Sequence, residues 1–236
     1  MNKKDGNMYE FVTHTSNPIK GVCPHDCSYC YMKPIYNRFK LDQTLRLDQE
    51  ELNCNYGRNK YIFMGSSTDM FAKEVPTDWI IQVYDHCWQY NYNHYLFQSK
   101  NPSRFLDPNL IGHQLMQRKD IICFATTIET NREYPFVSKA ESMHARMFAM
   151  QRLREMGFPV MVTMEPIMDF DYDDVIAMME CIQPFQVNIG CNTSKTVNLL
   201  EPTKEKILRL VHTLQQHTIV KLKSNSERIL GDLSTI

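Results

Sequence analysis

Apolar residues along this chain come in short unbroken runs. YIFMG (61–65), HYLFQS (94–99), IICFATTIE (121–129), PVMVTMEP (159–166), FQVNIG (185–190) and TIVKLKS (218–224) are rich in β-branched and aromatic side chains. Continuous runs of this kind suit strands of a sheet whose outer face is covered by helices. Between them the apolar positions recur with helical spacing. TDWIIQVYDHCWQ (77–89) places Ile80, Val83, Tyr84 and Cys87 on one face, with Thr77 expected as the N-cap. SKAESMHARMFAMQRLREMG (138–157) places Met143, Met147, Met150 and Leu153 on one stripe and stops at Gly157. PTKEKILRLVHTLQQH (202–217) repeats the design with Ile207, Val211 and Leu214. Methionine fills irregular gaps, so these stripes read as core.

Strand and helix alternate about six times, which predicts parallel strands joined by right-handed crossovers. No Pro-, Ser- or Gly-rich linker and no low-complexity tract divides the chain. The expectation is one α/β domain over residues 1–236, with a core of about 9–225, folded as a partial (β/α)6 TIM-like barrel. Functional residues then belong where strands end and loops begin.

Composition narrows the chemistry. With 43% hydrophobic and 22% charged residues the chain has ordinary globular usage, and its formal net charge of −1 supplies no global field toward nucleic acid or an anionic membrane. The start MNKKDGNMYEF lacks an apolar leader core, and no apolar run approaches the ~18 residues of a membrane span. No membrane association and a cytoplasmic location are therefore expected. Eight cysteines without a secretory signal point to a reducing compartment, where clustered thiols bind metal.

Three of the eight lie in GVCPHDCSYCYMKP (21–34), as Cys23, Cys27 and Cys30. An odd number of thiols in so tight a loop suits disulfides poorly. One metal reading is a structural zinc site with His25 as the fourth ligand, although zinc usually draws on two separated ligand pairs. The other is a [4Fe–4S] cluster, in which three thiolates leave one iron open for a further ligand. The scattered Cys54, Cys87, Cys123, Cys181 and Cys191 mostly read as core residues.

C-x3-C-x2-C with Tyr29 just before the last cysteine, in the loop after the first strand of a β/α chain, resembles the radical S-adenosylmethionine (SAM) superfamily. GSSTDMF (65–71), FQSKNPSRF (97–105), TTIET (126–130) and MEPIMDF (164–170) are similar in order and spacing to segments of the spore photoproduct lyase family. They are closer still to a related phage-associated family of radical SAM proteins of unknown function, with which NPIKG (17–21) also agrees.

The resemblance implies a site. Cys23, Cys27 and Cys30 would hold a [4Fe–4S] cluster whose open iron chelates the methionine part of SAM. Tyr29 would lie against the adenine. Gly65, Ser66, Ser67, Thr68 and Asp69 would receive the methionine amino group. Lys100 would face the methionine carboxylate, Thr127 would hydrogen-bond that carboxylate and Glu129 the ribose hydroxyls. Arg146 would support this edge of the site. The implied chemistry is reductive cleavage of SAM to a 5′-deoxyadenosyl radical that takes hydrogen from a substrate. It calls for an electron donor of the flavodoxin or ferredoxin type.

The lyase family carries a hydrogen-donating cysteine near the end of the second strand, where this chain has Ser66 and Ser67. Cys191, at the expected mouth of the barrel, is the candidate to return a hydrogen atom instead, and Glu165 is a further candidate for contact with substrate or SAM. The resemblance favours a nucleobase, nucleoside or nucleic-acid substrate and chemistry of the lyase or transferase type. A small-molecule metabolite is the alternative, and a non-catalytic zinc- or cluster-stabilised binding module is the alternative from another class.

Overall fold

The computed structural model describes residues 1–3, 9–194 and 197–236. Seven parallel strands form one sheet in simple sequence order: β1 (His14–Ser16), β2 (Tyr61–Met64), β3 (His94–Gln98), β4 (Ile122–Thr127), β5 (Val160–Met164), β6 (Gln186–Ile189) and β7 (Ile219–Leu222). Asn2–Lys3 adds a short antiparallel edge to β1. The six apolar runs each supply one strand. The seventh, β1, is only His-Thr-Ser, too short and polar to stand out as a run.

Successive side chains of a strand point to opposite faces, so each strand feeds two clusters. Ile62, Met64, Tyr95, Phe97, Ile122, Phe124, Val160, Val162, Val187 and Ile189 join the large core beneath the helices. Phe63, Leu96, Cys123, Ala125 and Met161 form a smaller inner cluster with Tyr9 and Val12. The sheet is mixed with helices as expected but does not close into a barrel: among the described residues β1 and β7 do not pair. The N-terminal segment spans this gap, with Glu10 accepting from Lys221 Nζ at 3.0 Å and Lys223 Nζ lying 4.3 Å from the Tyr9 ring centroid.

The helices are α1 (Met32–Phe39), α2 (Thr77–Gln89), α3 (Met143–Glu155), α4 (Tyr172–Ile182) and α5 (Lys204–Leu214), with shorter turns between them. Three of them bury the stripes expected: Ile80, Val83, Tyr84 and Cys87 on α2, Met143, Met150 and Leu153 on α3, and Ile207, Val211 and Leu214 on α5. Met147 is only partly buried. Thr77 is not the cap of α2: Pro76 holds that position without a side-chain bond, and Thr77 Oγ1 instead accepts from Arg104 Nη2 at 3.0 Å. After α3 the chain turns at Gly157, whose φ is +86°. No helix is long and apolar enough to cross a membrane among the described residues.

Because all seven strands run the same way, their C-terminal ends share one edge. Strand β1 is followed by Ile19–Lys20, which pairs antiparallel with Arg46–Leu47. Residues 21–45, including all three clustered cysteines and α1, form an excursion between these two short strands, set at that edge.

Candidate functional site

Local sterics fix the start of the cysteine loop. Gly21 has φ +111°, and a Cβ there would stand 2.4 Å from the Thr44 carbonyl oxygen, so only glycine fits. Its own carbonyl accepts from Tyr36 Oη of α1 and from Thr68 Oγ1, each at 2.6 Å. Beyond it, Cys27 is buried, Cys23 and Cys30 are half-buried, and all three are free thiols. A cover formed by residues 134–141 packs over them. Ser28 N donates to the Val137 carbonyl at 2.8 Å, Lys139 N to that of His25 at 2.8 Å, and Cys27 Sγ meets Ser138 Oγ at 3.3 Å. Asp26 takes ion pairs from Lys33 and Lys139 at 2.7 and 2.9 Å. Burial and the nearby Asp69 charge push the Cys23 thiol up to about 12.

His25 is not placed to complete a zinc set. Its Nε2 meets Asp69 Oδ2 at 2.8 Å, and no three His, Cys, Asp or Glu among the described residues surround a single ion. Three free thiols in one loop match the three protein ligands that a [4Fe–4S] cluster with one open iron would need.

Asp69 is the knot between this loop and the sheet. Besides His25, its carboxylate accepts from Ser99 Oγ at 2.9 Å, Lys100 N at 2.8 Å and Phe71 N at 2.9 Å. Burial works to raise its pKa, but His25 and the two backbone donors outweigh this and hold it below the usual range. These oxygens are engaged by the protein itself. Gly65 turns the chain out of β2 at φ +76°, while Ser66 Oγ and Ser67 N both donate to Asn17 Oδ1, at 3.2 and 2.9 Å. Thr68 is buried, its hydroxyl committed to Gly21.

One strand farther along, four predicted residues converge. Glu129, just past β4, is 1% exposed. Its Oε1 accepts from Lys100 Nζ at 2.8 Å and from Tyr29 Oη in a short hydrogen bond, and its Oε2 accepts from Arg146 Nη1 at 2.8 Å. Arg146, inside α3 and 1% exposed, also donates to the carbonyls of Thr127 and Glu141, at 2.8 and 2.9 Å. Lys100 Nζ lies 4.5 Å from the Tyr29 ring centroid and hydrogen-bonds its hydroxyl. Burial would raise the Glu129 pKa; the Lys100 and Arg146 charges overcome it and hold the carboxyl at about 2. Burial would likewise lower that of Lys100, but Glu129 keeps the ammonium above its ordinary value. Tyr29 is held well above the usual phenol range by burial and by the Glu129 charge, so its hydroxyl donates. Two cations and one anion leave this group one positive charge. A cavity of about 410 Å³ opens beside it, bordered by Glu129, Tyr134, Val137, Ser138, Met143 and Arg146. The Thr127 side chain is not bonded to this group: its Oγ1 accepts from Gln98 Nε2 at 3.3 Å.

Cys191 is not brought to this group. Gly190 faces inward toward Glu165, and Cys191 turns back into the large core beneath the helices at 1% exposure. Its thiol is raised above the ordinary range by burial. Spacing along the chain could not announce Ser138, Ser99 or the His25–Asp69 pair, because their partners lie 111, 30 and 44 residues away.

No protein-family model and no curated protein matches this sequence. Solved structures do. A spore photoproduct lyase mutant with bound AdoMet and dinucleoside spore photoproduct superposes with a TM-score of 0.62, over 93% of this chain and 78% of that one, at 12% identity. The fold is that of spore photoproduct lyase. SuiB from Streptococcus suis bound to S-adenosylmethionine gives a TM-score of 0.58 over 90% of this chain at 8% identity, and this chain spans half of its length. Both likenesses are of the fold, and both of those proteins were seen with S-adenosylmethionine bound.

Proposed function

We propose that this chain is a radical SAM enzyme. The observation that carries the reading is the placement of the Lys100–Glu129–Arg146 group, with Tyr29 from the cysteine loop itself bonded to Glu129, at the sheet edge where that loop lies. Cys23, Cys27 and Cys30 would hold a [4Fe–4S] cluster. When bound, the cluster and SAM supply the one-electron chemistry that yields a 5′-deoxyadenosyl radical.

The protein's own residues bind and orient. Glu129 fixes the Lys100 ammonium at the rim, and the net positive charge of the group suits a carboxylate such as that of methionine. The Tyr29 ring, half-buried against Val137 and Met168, offers an apolar plane beside a base. Ser66 and Ser67 stay half-buried at the β2 end and remain the candidates to meet the methionine amino group, whereas Asp69 and Thr68 serve it by holding the loop. The 134–141 cover helps to bury the Cys27 thiol.

The substrate we assign is a nucleobase or nucleoside, supported by likeness to a fold seen with a dinucleoside ligand. A flavodoxin- or ferredoxin-type protein would supply the electron. The placement of Cys191 supports a packing role rather than hydrogen transfer. The test is anaerobic reconstitution followed by titration with SAM and dithionite. Formation of 5′-deoxyadenosine is expected; a chain that takes up one zinc and no iron would restore the binding-module reading.

A further inference from the structure

Residues 134–141 are laid along the backbone of the cysteine loop. Ser28 N donates to the Val137 carbonyl and Lys139 N to that of His25, both at 2.8 Å. Ser138 stands between these two bonds, so its side chain is held against the stretch from His25 to Ser28 and meets Cys27 Sγ at 3.3 Å. The segment is anchored on both sides of it. Lys139 Nζ pairs with Asp26 at 2.9 Å, and Val137 packs with Met168, Leu199 and Tyr29. None of these anchoring contacts uses the Ser138 side chain.

The Ser138 hydroxyl has one proton to give. Its oxygen accepts from Ala140 N at 3.2 Å, which commits a lone pair to the cover's own backbone. Two acceptors lie within reach of the proton, Cys27 Sγ at 3.3 Å and the His25 carbonyl at 3.5 Å. That carbonyl already receives Lys139 N. In the free protein the thiol and the hydroxyl can each donate to the other. A cysteine that ligates metal has lost its proton, which fixes the direction: only Ser138 can then donate. The acceptor is an anion and Cys27 is 8% exposed, so this is a charge-assisted bond with little water to compete for it.

We propose that Ser138 is a positioning residue of the cluster site: it donates its hydroxyl proton to the Cys27 thiolate and raises the reduction potential of the cluster. The inference rests on the radical SAM reading above and concerns the uptake of the electron. In that step one electron arrives from a separate one-electron reductant, and the hydroxyl keeps its proton. The added negative charge is shared by the ligand sulfurs, so a donor aimed at one of them stabilises the reduced form more than the oxidised form. Hydrogen bonds to sulfur are among the factors that set such potentials. The consequence is easier reduction by a carrier of the flavodoxin or ferredoxin type.

The experiment is redox potentiometry on the full-length, anaerobically reconstituted protein without SAM. The electron paramagnetic resonance signal of the reduced cluster is followed under dithionite and mediators in the unchanged protein, Ser138→Ala and Ser138→Thr. Ser138→Ala should keep its iron and sulfide and lower the equilibrium constant for one-electron reduction about tenfold, a midpoint shift of ~59 mV to lower potential. Ser138→Thr keeps a hydroxyl on the same carbon and should stay within about threefold of the unchanged protein. Loss of iron in Ser138→Ala but not in Ser138→Thr would also support a hydroxyl acting on the ligand. Loss of iron in both, an unmoved or higher midpoint in Ser138→Ala, or equal shifts in the two variants would overturn the inference. With full iron and sulfide present, those midpoint results sink this inference alone. Failure of the unchanged protein to take up iron sinks the radical SAM reading, and this inference with it.

Discussion

Arg146 and Glu129 meet at 2.8 Å with each side chain 2% exposed. Few ion pairs are so dry, and this one ties the middle of α3 to the end of β4. Removing one partner leaves the other charge buried. Arg146→Ala is expected to cost about 3–5 kcal/mol, read from urea unfolding of the unliganded chain. A loss under about 1 kcal/mol would mean that Lys100 and Tyr29 alone satisfy Glu129.

The same carboxylate makes stability depend on pH. Glu129 is held at about 2, below its ordinary 4.5. Its stabilisation is complete above pH 4.5 and is lost as pH falls from 4.5 toward 2, because the unfolded chain binds the proton first. The effect is on the order of 3 kcal/mol. Unfolding free energies of the unchanged protein and Glu129→Gln, compared from pH 7 to pH 3, should converge at the acid end. A constant gap would show that Glu129 titrates normally.

How much of this could be read from residues alone depended on range. The strands from β2 to β7 were legible because each carries a short run of β-branched or aromatic residues, buried on both faces in β4 and β5 and left half-open at the β7 edge, and α2, α3 and α5 because their stripes repeat at helical spacing. Strand β1 was not, since His14, Thr15 and Ser16 owe their extended form to pairing with Ile62, Phe63 and Met64. Lys100, Glu129 and Arg146 were legible as strand-end and helix residues, but their mutual pairing was not: the partners come from different elements, and charge alone names no partner. Asp69 shows the same limit. Its place after β2 suggested an open acceptor, whereas His25, Ser99 and two backbone amides fill it.

In the proposed function Lys100 would link the fold to the cofactor. Lys100→Ala should keep its iron and weaken SAM binding by ~1–3 kcal/mol, since a charge-assisted bond to a carboxylate is lost. Anaerobic calorimetry with SAM measures it. Unchanged affinity would leave Lys100 as the structural partner of Glu129 only.

Cys191, packed in the large core, should behave as a small apolar residue. Cys191→Ser is expected to lose about 1–2 kcal/mol of stability through a buried hydroxyl, with iron content and SAM cleavage kept. A variant of full stability that forms 5′-deoxyadenosine without substrate turnover would return Cys191 to the chemistry.

The central claim is that the three-thiol loop holds an iron–sulfur cluster. Iron and acid-labile sulfide, assayed in the anaerobically reconstituted protein and in Cys27→Ala, test it most directly. The account predicts about four of each per chain in the unchanged protein and a near-complete loss of both in the variant. Full iron in Cys27→Ala, or one zinc and no iron in the unchanged protein, would contradict it.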